Sequence, residues 1–139
     1  MMRSEMKMRL KSLLIKHEDY RMLPYPDILG NITIGIGRNL TGRGVLPTEI
    51  DMMFDHDVDY FVNFLSKHYS WFNELNETRQ IALIDMCFAG TRTFSTFKKM
   101  INFLANKDYK KAADELLDSK YAQQVGERAT ELAEMIEHG

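Results

Sequence analysis

Two prolines and a cluster of glycines interrupt an otherwise helical hydrophobic pattern, and that interruption limits what the chain can become. Over residues 4 to 19, Met6, Leu10, Leu13, Leu14 and His17 recur at helical spacing, with Arg9, Lys11, Ser12 and Lys16 between them. Pro24 and Pro26 then exclude helix and force an extended backbone. Asp27 closes that extended piece, and Ile28-Leu29-Gly30-Asn31 reads as a turn. Ile32 to Ile36 is β-branched and alternating, as expected for the return strand of a hairpin. Thr33, Gly35 and Gly37 would share one face of it, open and nearly free of side chains. The helical period returns at Pro47. The chain therefore reads as α+β, mostly helical, with one small β segment near its start.

The remaining elements follow from periodicity and caps. Pro47-Thr48 opens a long helix, with Thr48 and Asp51 at capping-box spacing. Its stripe of Ile50, Met53, Phe54, Val58, Phe61, Val62 and Leu65 runs to about residue 68. Residues 76 to 89 are apolar on nearly every side after Arg79 and make the expected central core helix, stopped by Gly90. Further helices are expected at 94 to 105, with Phe97, Met100, Ile101 and Leu104 inward, at 109 to 118 and at 126 to 137. A chain of 139 residues without a repeat or long linker is one domain.

Composition narrows the function classes. A net charge of -2 gives no mandate for nucleic acid. A helix-turn-helix reading needs a basic recognition helix, and the last helix carries Glu127, Glu131, Glu134 and Glu137. Arg3, Lys7, Arg9, Lys11 and Lys16 against Glu5 alone make the start of the chain basic; this is either a patch for a carboxylated substrate or a solvated helix face. Cys87 is the single cysteine, so no internal disulfide forms. Its apolar surroundings predict a buried thiol, in keeping with a reducing compartment. Leu13-Leu14-Ile15 is too short for a signal-peptide core, and no stretch has the length to span a membrane. His17, His56, His68 and His138 lack metal-ligand spacing. No Gly-x-Ser-x-Gly elbow is present.

The chemistry sits in the interruption. Glu18 and Asp27 are nine residues apart, and Thr33 follows six later. Glycoside hydrolysis by two carboxyls needs one protonated, to serve the leaving oxygen, and one ionised, to activate water or steady the sugar cation. Glu18, at the end of the first helix beside its apolar face, is expected to be partly buried, which raises a carboxyl's pKa. Taken singly, each residue has an ordinary reading. Exposed glutamates near helix ends are the norm, Asp27 suits a turn, and Thr33 suits a strand. Gly35 and Gly37 lack the full phosphate-loop pattern. Their joint spacing is what points to catalysis.

These residues carry a resemblance. Glu18, Tyr25-Pro26-Asp27 and Gly30-Asn31-Ile32-Thr33-Ile34-Gly35-Ile36-Gly37 resemble, without a gap, the motif of the phage-type lysozymes, glycoside hydrolase family 24. The likeness continues through Phe54-Asp55-His56-Asp57-Val58-Asp59, Met86-Cys87-Phe88, and Gln124, Arg128, Ala129 and Gly139. It implies a two-lobed lysozyme-like fold: a hairpin lobe over about 20–46, a helical lobe from 1–19 and 69–139, and a linking helix over 47–68. It implies a muramidase that cuts the β-1,4 bond between N-acetylmuramic acid and N-acetylglucosamine of peptidoglycan lying between the lobes. Glu18 would be the general acid, and Asp27 and Thr33 would hold the water. A hydroxyl beside the carboxylate suits a shared water better than direct attack, so inversion is expected.

By the same likeness Arg128 would pair with Glu18, Gln124 and Gly37 would support the site, and Phe88 and Asn39 would line the substrate cleft. The family's usual histidine is replaced by Arg38, which is expected to pair with Asp57. The segment from Asn39 to Pro47 is short, so the small lobe should reduce to a hairpin and a loop. No cofactor or metal is called for. The implied partner is peptidoglycan, met by a monomer made without a signal peptide in the host bacterial cytoplasm, with a holin opening the way to the wall. The alternative is an inactive wall-binding or phage tail module of the same fold.

Overall fold

A computed structural model describes residues 2–139. Its elements run α1 (Ser4–Glu18), β1 (Arg21–Pro26), β2 (Ile32–Gly35), β3 (Arg38–Asn39), α2 (Pro47–His68), a 3-10 turn (Ser70–Glu74), α3 (Glu77–Cys87), α4 (Thr91–Ser95), α5 (Lys98–Ala105), α6 (Tyr109–Leu117), α7 (Lys120–Val125) and α8 (Glu127–His138). The chain is a mostly helical α+β protein. It divides into two compact units, one reaching to Met53 and the other spanning Phe54–Gly139. The division falls inside α2, and α1 groups with the strands rather than with the later helices.

In the first unit the strands form an antiparallel sheet in the order β1-β2-β3. Pro24 and Pro26 cannot donate to a ladder, and β1 is accordingly an edge strand whose register with β2 is irregular between Arg21 and Tyr25. The hairpin and loop expected here carry a third strand. Gly35 and Gly37 both have positive φ, 69° and 75°, so the backbone reverses at Gly35-Ile36-Gly37 instead of extending through it. The reversal pairs Ile34 with Arg38 and Thr33 with Asn39.

Two further expectations fail in this unit. No residue of α1 is buried; Met6, Leu10 and Leu13 are 44%, 42% and 49% exposed. The Thr48–Asp51 capping box is replaced by another. Glu49 accepts the Leu46 N–H at 2.7 Å, because the helix begins at Pro47 and the third helical position falls on Glu49.

The second unit is built on one apolar core. Leu65, Phe72, Leu83, Met86, Phe94, Met100, Leu104, Leu116 and Ile136 are essentially inaccessible to solvent. The α3 helix sets Ala82, Leu83, Met86 and Cys87 into this core and is capped by the Asn76 side chain on the Arg79 N–H at 3.0 Å. It is not enclosed all round: Ile81 and Phe88 stay exposed. Cys87 is buried, and burial pushes its thiol up to about 12.

The single helix expected over 94 to 105 is broken at Thr96 and Phe97. Thr96 Oγ1 donates to the Thr93 carbonyl at 2.6 Å, taking an acceptor that the helical ladder would use. Phe94 is thereby buried on α4 while Met100 and Leu104 are buried on α5. The α7 helix was not anticipated. Ser119 caps it through the Ala122 N–H at 3.1 Å, and Gly126, at φ 61°, ends it. No helix among the described residues is long and apolar enough to cross a membrane.

Candidate active site

The first unit brings Glu18, Asp27, Thr33, Gly37 and Asn39 onto one small scaffold. Glu18 is the last residue of α1, and its backbone carbonyl accepts the Tyr25 hydroxyl at 2.8 Å. Its side chain lies against the β2–β3 turn. A Cβ on Gly37 would stand 3.2 Å from Glu18 Cγ and 3.4 Å from its Cβ, so glycine is what allows the approach. The partial burial expected for Glu18 is absent. It is exposed, because α1 sets no residue into a core.

Asp27 organises the β1–β2 turn. Its Oδ1 accepts the N–H groups of Leu29 at 2.9 Å and Asn31 at 2.8 Å. Its own N–H donates to the Asn31 carbonyl at 2.8 Å. Oδ2 receives the Asn31 side-chain amide, at the long distance of 3.5 Å. One carboxylate oxygen is therefore spent on the turn and the other is weakly engaged.

Thr33 lies on β2 opposite Tyr25 and Asn39. The open face expected for it is closed: Thr33 is 3% exposed. Its hydroxyl donates to the Asn31 carbonyl at 3.1 Å, which leaves the oxygen free to accept. Asn31, read from the sequence only as a turn and motif residue, thus ties Asp27 and Thr33 together. Asn39 is turned to structure: Oδ1 accepts the Gly42 N–H at 2.9 Å.

Arg38 does not hold Asp57 as expected. Nη1 and Nη2 bind the two oxygens of Glu49 at 2.7 and 2.6 Å. Nη1 also donates to the Gly44 carbonyl at 3.1 Å. The reversal at Gly37 and the short link to Pro47 place Arg38 and Glu49 in one loop system, and a planar guanidinium matches a carboxylate end-on. Arg38, with the Leu46 N–H second, holds the Glu49 carboxyl down to about 2. Asp57 lies on an exposed turn of α2.

In the second unit Phe88 lines a groove of about 610 Å³ with Phe54, Ile81 and Ile84, edged by Asp85 and Arg128. The Phe54 and Phe88 rings are stacked with centroids 6.4 Å apart, and Phe61 meets Phe88 edge-on at 4.7 Å. Arg128, expected on Glu18, is committed to Asp85: Nε reaches Oδ1 at 2.9 Å and Nη2 reaches the Asp85 carbonyl at 3.2 Å. That hydrogen bonding raises the arginine's pKa further. Gln124 is exposed on α7, beside a smaller recess shared with Thr93, Phe97 and Tyr121. Asp85 and Phe54 were missed as site residues. The sequence holds no signal for Asp85, since its partner is 43 positions away.

Residues 15–134 match the phage lysozyme family. A "Probable T4-type lysozyme 2" of Dictyostelium discoideum is 25% identical over 160 residues, covering 94% of each chain.

Proposed function

Since the chain belongs to the phage lysozyme family, whose members are lysozyme-type glycosidases of peptidoglycan, we propose that it cuts the β-1,4 bond after N-acetylmuramic acid, with inversion. The observation that carries this reading is the scaffold of the first unit. Glu18 is tied through its backbone carbonyl to the Tyr25 hydroxyl, and the Asp27 and Thr33 side chains are both tied to the backbone of Asn31. Glu18 protonates the leaving oxygen as the glycosidic bond lengthens. Asp27 and Thr33 hold a water. Asp27 Oδ2 and Thr33 Oγ1 both present lone pairs, because Oδ1 is taken by two N–H groups and the threonine proton by Asn31. A water donating to both keeps its own lone pair for the anomeric carbon. Phe88 and Phe54 supply an apolar face for a sugar ring or acetyl methyl.

The deciding assay is clearing of purified peptidoglycan by wild type and Glu18→Gln. The variant keeps the shape and loses the transferable proton, so turnover should fall by about a hundred to ten thousand fold with an unchanged circular dichroism spectrum. Near-normal turnover rejects Glu18 as the acid. Proton NMR of fresh digests should show the α-anomer first; an initial β-anomer rejects the water-holding roles of Asp27 and Thr33.

One observation favours the inactive wall-binding alternative. In this structure Glu18 is exposed and Thr33 is shut away, the reverse of what proton donation and water access ask of them. Sedimentation with peptidoglycan and no release of reducing ends by the wild type would establish that reading.

A further inference from the structure

We propose that Tyr25 is a positioning residue for the general acid, acting through the backbone of Glu18; this rests on the lysozyme reading above. Tyr25 is tied, along the chain or across it, to each of the three candidate catalytic residues. It lies two residues before Asp27, and it is the cross-strand partner of Thr33. Its hydroxyl donates to the Glu18 carbonyl at 2.8 Å.

That carbonyl needs such a donor. Carbonyls in the last turn of a helix lack the N–H that a following turn would bring. Here the following residue cannot continue the helix, because Asp19 adopts φ 80° and ψ 176°. A non-glycine residue at that φ is costly and is kept only where its surroundings fix it. The surroundings are on hand. Asp19 Oδ1 accepts the Tyr20 N–H at 2.8 Å, and Oδ2 accepts Arg21 Nε at 2.9 Å. The Arg21 guanidinium lies over the Tyr25 ring, 4.8 Å from its centroid. The contacts close a loop: Glu18 leads into Asp19, Asp19 holds Arg21, Arg21 covers the Tyr25 ring, and Tyr25 returns to Glu18.

The loop matters because the Glu18 side chain has little else to hold it. It is exposed, and its carbon atoms lie beside the opening left by Gly37. With the backbone carbonyl tethered from one side and the turn at Gly37 on the other, the direction of the Cα–Cβ bond is set. The carboxyl is then aimed without being buried. Near-attack geometry tolerates little error, with about a hundredfold loss for a misplacement near 1 Å.

The test is Tyr25→Phe, which removes one oxygen and keeps the ring under Arg21, studied with Glu18→Gln and the double variant. Tyr25→Phe should lower kcat roughly ten to a hundred fold with KM within about twofold. The drop should vanish when Tyr25→Phe is placed on Glu18→Gln, because a tether has nothing to aim once the proton donor is gone. Tyr25→Phe with a lowered melting temperature and unchanged kcat overturns the proposal and leaves a structural hydrogen bond. An equal loss in both backgrounds also overturns it, since Tyr25 would then act independently of the acid. Near-normal turnover of Glu18→Gln overturns the acid and the tether together, whereas a full loss in Glu18→Gln with none in Tyr25→Phe overturns the tether alone.

Discussion

Gly37→Ala should damage both stability and turnover, and Gly35→Ala only stability. Both glycines sit at positive φ, 75° and 69°. Forcing an L-residue into that region costs about 1–2 kcal/mol per position. For a chain between the 60–100 and 150–250 residue classes, each kcal/mol moves the melting temperature by about 3–5 °C, so both variants should melt roughly 3–10 °C lower. Their surroundings then separate them. A Cβ at Gly35 meets nothing within 4 Å, whereas one at Gly37 stands 3.2 Å from Glu18 Cγ. Carbon pairs prefer about 3.5–4.0 Å, so the Glu18 side chain must retreat by roughly half an ångström. With about a hundredfold lost per ångström of misplacement, Gly37→Ala should lose roughly tenfold in kcat. Melts by circular dichroism and initial rates on soluble peptidoglycan, taken well below the lower melting point, check both halves. Equal turnover in the two variants would refute the packing argument, and an unchanged melt in either would refute the backbone one.

The Arg38–Glu49 pair should show in the pH dependence of stability. The folded Glu49 carboxyl is depressed from 4.5 to about 2, so its contribution is full above 4.5 and is lost as pH falls toward 2. Glu49→Gln should flatten the melting temperature across that window, and an unchanged slope would reject the pair's role. Arg79 donates from Nε to the Ile136 carbonyl at 2.7 Å and from Nη2 to that of Glu137 at 2.9 Å, with its guanidinium 3.6 Å from the Tyr109 ring centroid. Arg79→Ala should therefore cost about 2–4 kcal/mol in urea unfolding, and a loss under 1 kcal/mol would show that the α8 end does not depend on it. Phe94 is fully buried on α4. Phe94→Ala should cost about 3–5 kcal/mol, and a much smaller loss would mean that the broken helix can close over the cavity.

The sequence was sufficient for whatever depends on near neighbours along the chain. The bounds of α1 and α2 came from periodicity, the start of α2 from Pro47, and the β1–β2 turn from Pro26, Asp27 and Gly30. The motif residues Glu18, Asp27 and Thr33 share one local scaffold because all three lie within sixteen positions. Short-range hydrogen bonds, such as Asp27 to Asn31, are written into turn chemistry. The core residues of α3 and α5 followed the same logic.

Partnerships were another matter. Arg38 could be matched to several acids, and the reversal at Gly37 with the short link to Pro47 chose Glu49 over Asp57. Arg128 found Asp85 because α3 and α8 pack together, a choice that no spacing encodes. The burial of Thr33 was equally invisible. Alternation assigns a residue to a face but does not say whether that face will be covered. Charge partners and solvent access are set by which surfaces meet. Meeting surfaces are a property of the folded chain, decided by packing over distances that local sequence pattern does not reach.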